Sequence, residues 1–335
     1  MRLFLATVAA FCALAWAGGA QAGTFSFDGH DVSYVAPSGE TNRVFLISEE
    51  RPVRGFRVID SGAAVTAGAG CASVGANEAF CAIPDFPDHV FVSVDDMNDY
   101  VNTSAALPGE TRLEGGVGND SLYAGEDSAV LDGGPGADVF EGELSTVDYS
   151  SRTNPLTVTI GDGLANDGEA GENDLIGKVA AVIGGSGADT FTLTALDGRV
   201  DGGYGNDHIT ANGVSSCGLS GGPGNDVIEA DAGFCSMGGG GGNDTLVGGD
   251  DVQLMGGGEG DDVLRGGPGG DSLAGDRGAD ELIGGKGHDH SRGGSGDDTF
   301  RMKDGVNDFI DGNQGTDRAH VDKGLDELHD IEQLF

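Results

Sequence analysis

Seven aspartates, Asp189, Asp207, Asp226, Asp244, Asp262, Asp280 and Asp298, recur at intervals of 18 or 19 residues. Each is the sixth residue of a nonapeptide G-G-x-G-x-D-x-U-x or a close variant, in which U is large and apolar. Asp271 and Asp289 fall midway between members of that series, and Asp120 and Asp138 form a similar pair upstream. Such a period becomes chemistry only if the chain stacks its copies. In parallel strands, equivalent carboxylates would lie about 4.8 Å apart and repel by about 0.9 kcal/mol per pair even in bulk water. A hard cation reverses that sign, and calcium takes about six to eight oxygen ligands. Two carboxylates and the carbonyls of glycine-rich turns can supply them. The spacing therefore predicts six calcium positions along the seven-membered column. One more falls between Asp271 and Asp289 and one between Asp120 and Asp138, about eight ions in all.

The elements that would position these groups are read from the same repeat. Nonapeptides begin at Gly115, Gly133, Gly184, Gly202, Gly221, Gly239 and Gly257, then run without a gap from Gly266 through Gly275, Gly284 and Gly293. One coil is two nonapeptides. The intervening halves have lost their glycines and kept the apolar residue, which places Val200, Leu219, Met237 and Met255 at U. With Phe191, Ile209, Ile228, Leu246, Leu264, Leu273, Leu282 and Phe300 they form two facing columns, each x-U-x a short strand with U inward. Each G-G-x-G-x-D is a turn whose glycines permit positive φ. Ser291 interrupts the apolar column, which predicts a weaker roll there.

These repeats resemble the RTX, or haemolysin-type calcium-binding, family over roughly Gly115–Asp317, a nonapeptide known to bind calcium in β-helices. The resemblance implies an all-β, right-handed parallel β-roll, a solenoid with calcium held between successive turns on the same side.

Cys12 belongs to the amino-terminal segment discussed below, which leaves Cys71, Cys81, Cys217 and Cys235. Cys217 and Cys235 each stand two residues before U, at the aspartate position of their half-coils, where Gly198 and Gln253 fill the flanking places. Adjacent coils bring such backbones within disulfide range. A Cys217–Cys235 bond would then replace a missing ion, the alternative being two free buried thiols. Cys71 and Cys81 pair by elimination.

The remaining chain frames the roll. Arg2, the apolar run Leu3–Ala17 and Ala20-Gln21-Ala22 have the layout of a secretory signal, residues 1–22, cut after Ala22. Residues 23–110 alternate short apolar strands (TFSF, VFLIS, FRVID, VFVSV) with polar turns, a β-rich segment ahead of a roll at 111–318. An insert at 142–183 contains two strands and an acidic loop of Asp162, Asn166, Asp167, Glu169, Glu172 and Asp174, which could bind a further calcium or simply be solvated. Residues 319–335 read as a calcium-free capping coil, because Asp174, Ile176, Val179 and Val182 recur in spacing as Asp326, Leu328, Ile331 and Leu334.

The chain has 64 glycines among 335 residues and a formal net charge of −39, which argues against nucleic acid or anionic membrane as partner. No segment after the signal could span a bilayer. Gly218-Leu219-Ser220-Gly221-Gly222 fits G-x-S-x-G but lacks the strand-to-helix setting of a nucleophile elbow. His288 and His290 flank Asp289 and could bind a transition metal, although solvent exposure in a turn accounts for them as well, and no H-E-x-x-H occurs. The sequence thus predicts a secreted calcium-binding protein, not an enzyme, with a structural, surface or matrix-interaction role and cell-surface polysaccharide or matrix as partner. The alternatives are a secreted hydrolase or lyase with its site outside the repeats, and an adhesin stiffened by calcium.

Overall fold

The computed structural model describes residues 22–335 apart from positions 50–53, 84–86, 104–106, 108, 126–127, 195–196 and 232. The predicted signal lies outside the described residues save for Ala22. Among the described residues every regular element is a strand and there is no helix. None is therefore long and apolar enough to cross a membrane as a helix. The strands stack in parallel as a β-solenoid of about 13 turns.

Register follows the apolar residues. On one face Phe191, Ile209, Ile228, Leu246, Leu264, Leu282, Phe300, Ala319 and Leu334 pair in succession. On the other, Val182, Val200, Leu219, Met237, Met255, Leu273, Ser291, Ile310 and Leu328 do the same. Because side chains alternate along a strand, a slip of one residue would turn each column out to solvent. The column from Phe191 to Phe300 is fully buried. Ser291 is buried too, and the gap its small side chain leaves is met by Met302, whose sulfur lies 3.8 Å from the Ser291 hydroxyl.

Upstream, Asp31–Val35 pairs in parallel with His89–Ser93, and Arg43–Glu49 with Tyr100–Thr103, so both faces of the solenoid continue into this region. Against them lies an antiparallel layer: Gly23–Phe27 pairs with Asp31–Val35, and Arg43–Glu49 with Gly55–Asp60, which continues through Glu78–Ala82 to Cys71–Gly75. At the other end Glu327–His329 and Gln333–Leu334 add a last strand to each face. The echo between insert and tail is one of spacing only. Ile176 pairs with Phe140 and Val182 with Val147, whereas Leu328 and Leu334 follow Ile310 and Ala319, on the opposite faces respectively.

The insert breaks the symmetry of the stack. Asp174–Ile183 serves both faces: Leu175 and Ile176 pair with Val139 and Phe140, and Ala181 to Ile183 pair with Thr146 to Asp148. On the second face the next strand is Gly198–Asp201, directly paired. On the first face Ala165–Glu169, antiparallel, and then Leu156–Ile160 come between Asp174–Ile183 and Thr190–Thr194. Two strands are thus added to one face alone.

Candidate metal column

The turns bring the repeated aspartates together as a hydrogen-bonded ladder. The backbone N–H of Asp207 donates to Asp226 Oδ1, that of Asp226 to Asp244, Asp244 to Asp262, Asp262 to Asp280 and Asp280 to Asp298, at 2.7–2.9 Å. The column does not stop at Asp298, whose N–H donates to Asp317 Oδ1. The second carboxylate oxygen, Oδ2, is buried and without a hydrogen-bond partner in Asp207, Asp226, Asp244, Asp262, Asp280, Asp298 and Asp317. A series of buried charged oxygens left unpaired is costly, and native structures rarely keep it without an unseen ligand.

Glycine is what allows the oxygens to converge. A Cβ on Gly239 would stand 2.3 Å from Asp244 Oδ2 and 2.6 Å from the Gly257 carbonyl oxygen. Gly240, at φ +116°, would bring a Cβ 2.3 Å from the carbonyl oxygen of Gly222 in the preceding coil. Carboxylate and turn carbonyls therefore face the neighbouring coil with no side chain between them. Among the described residues no cluster of three or more His, Cys, Asp or Glu side chains is preassembled. Main-chain carbonyls must therefore complete any coordination shell. That donor set, carboxylates plus carbonyls and no nitrogen or sulfur, suits calcium.

Burial pushes the carboxyls of Asp207, Asp262 and Asp298 up to about 7 and those of Asp244 and Asp280 up to about 6. Loss of water is the leading cause, opposed by the backbone N–H that Oδ1 accepts. Asp226 and Asp317 move in the same direction for the same reason. Asp189 differs in its partners: Oδ1 accepts the Leu156 N–H and Oδ2 the Gly185 N–H, so neither oxygen is orphaned.

Two further runs share this geometry. On the second edge Asp271 donates to Asp289, Asp289 to Asp308 and Asp308 to Asp326, and Oδ2 of Asp271, Asp289 and Asp308 is buried and unpaired. Upstream, Asp99 donates to Asp120 and Asp120 to Asp138, again with orphaned Oδ2 atoms, and burial pushes Asp138 up to about 8. Asp99, Asp308 and Asp317 were not expected from the nonapeptide, since none follows a glycine pair. The signal they keep is the aspartate two residues before an inward apolar side chain: Val101, Ile310 and Ala319.

Where the repeat degenerates, the protein satisfies its turns with its own groups. Cys217 and Cys235 are in register and bonded, with Cα atoms 4.6 Å apart, and Cys71 and Cys81 are bonded across an antiparallel pair. Gln253 accepts the Cys235 N–H at Oε1, while its Nε2 donates to the carbonyls of Gly233 and Asp251 at 2.9 Å each. An amide thus supplies the donors that turn carbonyls elsewhere lack. At the insert, the buried Arg152 guanidinium donates to the Gly134 carbonyl and pairs with Glu172 at 3.0 Å. The acidic loop is not gathered into a site: Asp167 accepts the Thr159 and Ile176 N–H groups, Asp174 the Tyr149 hydroxyl, and Glu172 the arginine. His288 binds the Asn307 carbonyl and His290 stacks on Phe309, so the two histidines do not converge. Ser220 of the G-x-S-x-G match lies within the strand Ser216–Pro223.

An 18-residue disulfide loop is worth about 3 kcal/mol in the chain-entropy treatment. Cys217→Ser should accordingly lower the melting temperature at saturating calcium without reducing the number of bound ions. An unchanged melt, or loss of an ion, would show that the bond is not an independent staple.

Comparison with known families finds the model of the RTX calcium-binding nonapeptide repeat (4 copies) matching six stretches, residues 108–143, 219–234, 239–264, 256–291, 265–300 and 307–328. Comparison with curated proteins gives no match. The matched stretches contain Asp120 and Asp138 and the column from Asp244 to Asp298, as well as Asp308 and Asp317, which the strict motif passes over.

Proposed function

We propose that this protein, which carries RTX calcium-binding nonapeptide repeats, is an extracellular structural protein whose roll folds on binding calcium and then serves a surface or matrix contact. One observation carries the reading: successive coils stack buried carboxylate oxygens that no protein group satisfies. Bound calcium would supply the positive charge that such groups require and take their oxygens as ligands. Asp207 to Asp317 would hold it on one edge, Asp271 to Asp308 on the other, and Asp99, Asp120 and Asp138 upstream, each with carbonyls of the adjoining turns. Two disulfides fit an oxidising compartment.

Titrating calcium into chelator-treated mature protein, followed by far-ultraviolet circular dichroism and small-angle scattering, tests this. Strand signal and compaction should appear together at about 0.1–1 mM calcium, the range of extracellular modules. A protein equally compact and equally folded at pH 8 without calcium would end the proposal.

A further inference from the structure

The second face, that of the Val200, Leu219 and Met237 column, carries an open groove of about 980 Å³ just beyond the insert. Its floor is made by the outward positions of three paired strands, Gly198–Asp201, Ser216–Pro223 and Phe234–Gly241, with Ala181 and Ile183 of Asp174–Ile183 completing it toward the insert. One registered row holds Arg199, Gly218 and Ser236, and the next Asp201, Ser220 and Gly238. The glycines make a trough. A Cβ on Gly238 would meet nothing within 4 Å, and one on Gly218 would meet only the Arg199 side chain at 3.5 Å. Phe234 stands at one side with half its surface exposed.

The chemistry of this floor differs from that of the turns. The Ser220 and Ser236 hydroxyls and the Arg199 guanidinium have no hydrogen-bond or ion-pair partner among the described residues. Asp201 adds a carboxylate one row away from the arginine. Planar guanidinium and carboxylate groups beside hydroxyls form a set of donors and acceptors suited to a ligand rich in hydroxyls. An exposed phenyl ring offers an apolar face to the C–H side of a sugar ring. Beneath the floor the Cys217–Cys235 bond joins two of the three strands, a link between coils that itself needs no metal. A net charge of −39 argues against a polyanion as the natural occupant.

We propose that this groove binds a neutral polysaccharide lying across the three strands, with Arg199, Asp201, Ser220 and Ser236 meeting its hydroxyls and Phe234 packing on a ring. The inference rests on the matrix-contact reading above and names its ligand class and place. The test is affinity electrophoresis of the calcium-loaded full chain in gels containing laminarin, dextran or galactomannan, with pectate as the polyanion. At least one neutral glycan should retard the protein. Gly218→Leu, which fills the trough at a position with no positive φ and no backbone in its way, should weaken that retardation tenfold or more. Phe234→Ala should weaken it less, and Thr210→Leu, on the other face, should leave it unchanged.

Circular dichroism of the same samples separates the two ideas, since a calcium-folded protein that no neutral glycan retards overturns this inference alone. Retardation equal with pectate, or undiminished in Gly218→Leu, also overturns it. So does a concentration-dependent dimer that Gly218→Leu abolishes, which would assign the groove to a second copy of the chain.

Discussion

Stripped of calcium, the protein should be folded near pH 5 and unfolded near pH 8, the reverse of the usual acid denaturation. The sign follows from burial. Carboxyls of Asp120, Asp138, Asp207, Asp244, Asp262, Asp271, Asp280, Asp298 and Asp308 titrate near 6 to 8 in the fold, against 3.8 when free. Each folded group therefore holds its proton over a range where the unfolded group has lost it. The stability it contributes is fully present below about pH 3.8 and is lost as pH rises through 6 to 8. Nine such groups act in the same direction, so the transition should be steep. Saturating calcium should remove the instability at pH 8, because the ion replaces the proton as partner. Circular dichroism of metal-depleted protein against pH, with and without added calcium, reads both arms. Loss of structure on acidification of the depleted protein, or a flat profile, would contradict the burial argument.

Asp244→Ala should be the most damaging single change in the column. The substitution removes a ligand from two inter-coil positions and strands the Asp226 N–H that Asp244 Oδ1 accepts. An unsatisfied buried N–H alone costs about 1–3 kcal/mol. Neighbouring coils in a solenoid stabilise one another, so a fault in the middle divides the stack. Asp317→Ala, near the end of the ladder, should raise the calcium midpoint less and lose one ion rather than two. Asp244→Asn keeps the acceptor and loses the charge, and should fall between them. Native mass spectrometry counts the ions and thermal melts at fixed calcium rank the variants. Equal losses at positions 244 and 317 would refute a shared-ligand column.

The solenoid and its register were legible because one short period carries both structure and chemistry. A residue such as Leu246 is inward and Asp244 two places before it lies in the turn, and the same offset recurs in every coil. The Cys217–Cys235 bond was legible for the same reason. Legibility failed where the glycines disappear. Asp308 and Asp317 keep the offset within KDGVNDFID and NQGTDRAHV, where Gly305 serves the first turn and Asn313 takes a positive φ alongside Gly315 in the second. Gln253 was visible as a missing aspartate, but nothing in a linear sequence shows that its amide turns back to two carbonyls. Arg152 gave no signal, because its partner Gly134 belongs to a coil from which the chain had already departed. Asp189 has the full motif, and what sets it apart is the Leu156 N–H brought to its Oδ1 by the insert and the Gly185 N–H of its own turn on Oδ2.

The hairpin of the insert has a consequence for the shape of the whole particle. A pile of identical coils has equal contour on every side and runs straight. Here the first face gains Leu156–Ile160 and Ala165–Glu169 while the second steps directly from Asp174–Ile183 to Gly198–Asp201. The extra contour is at most two strand spacings, about 10 Å, placed at one level like a wedge driven into one side of a column of coins. The axis must therefore turn there, away from the wedge, leaving a shorter arm toward the amino terminus and a longer one toward the carboxyl terminus. The polypeptide itself builds that elbow, with Arg152, Asp167 and Tyr149 making its internal bonds. Whatever calcium does along each arm, the angle between the arms is written in covalent sequence.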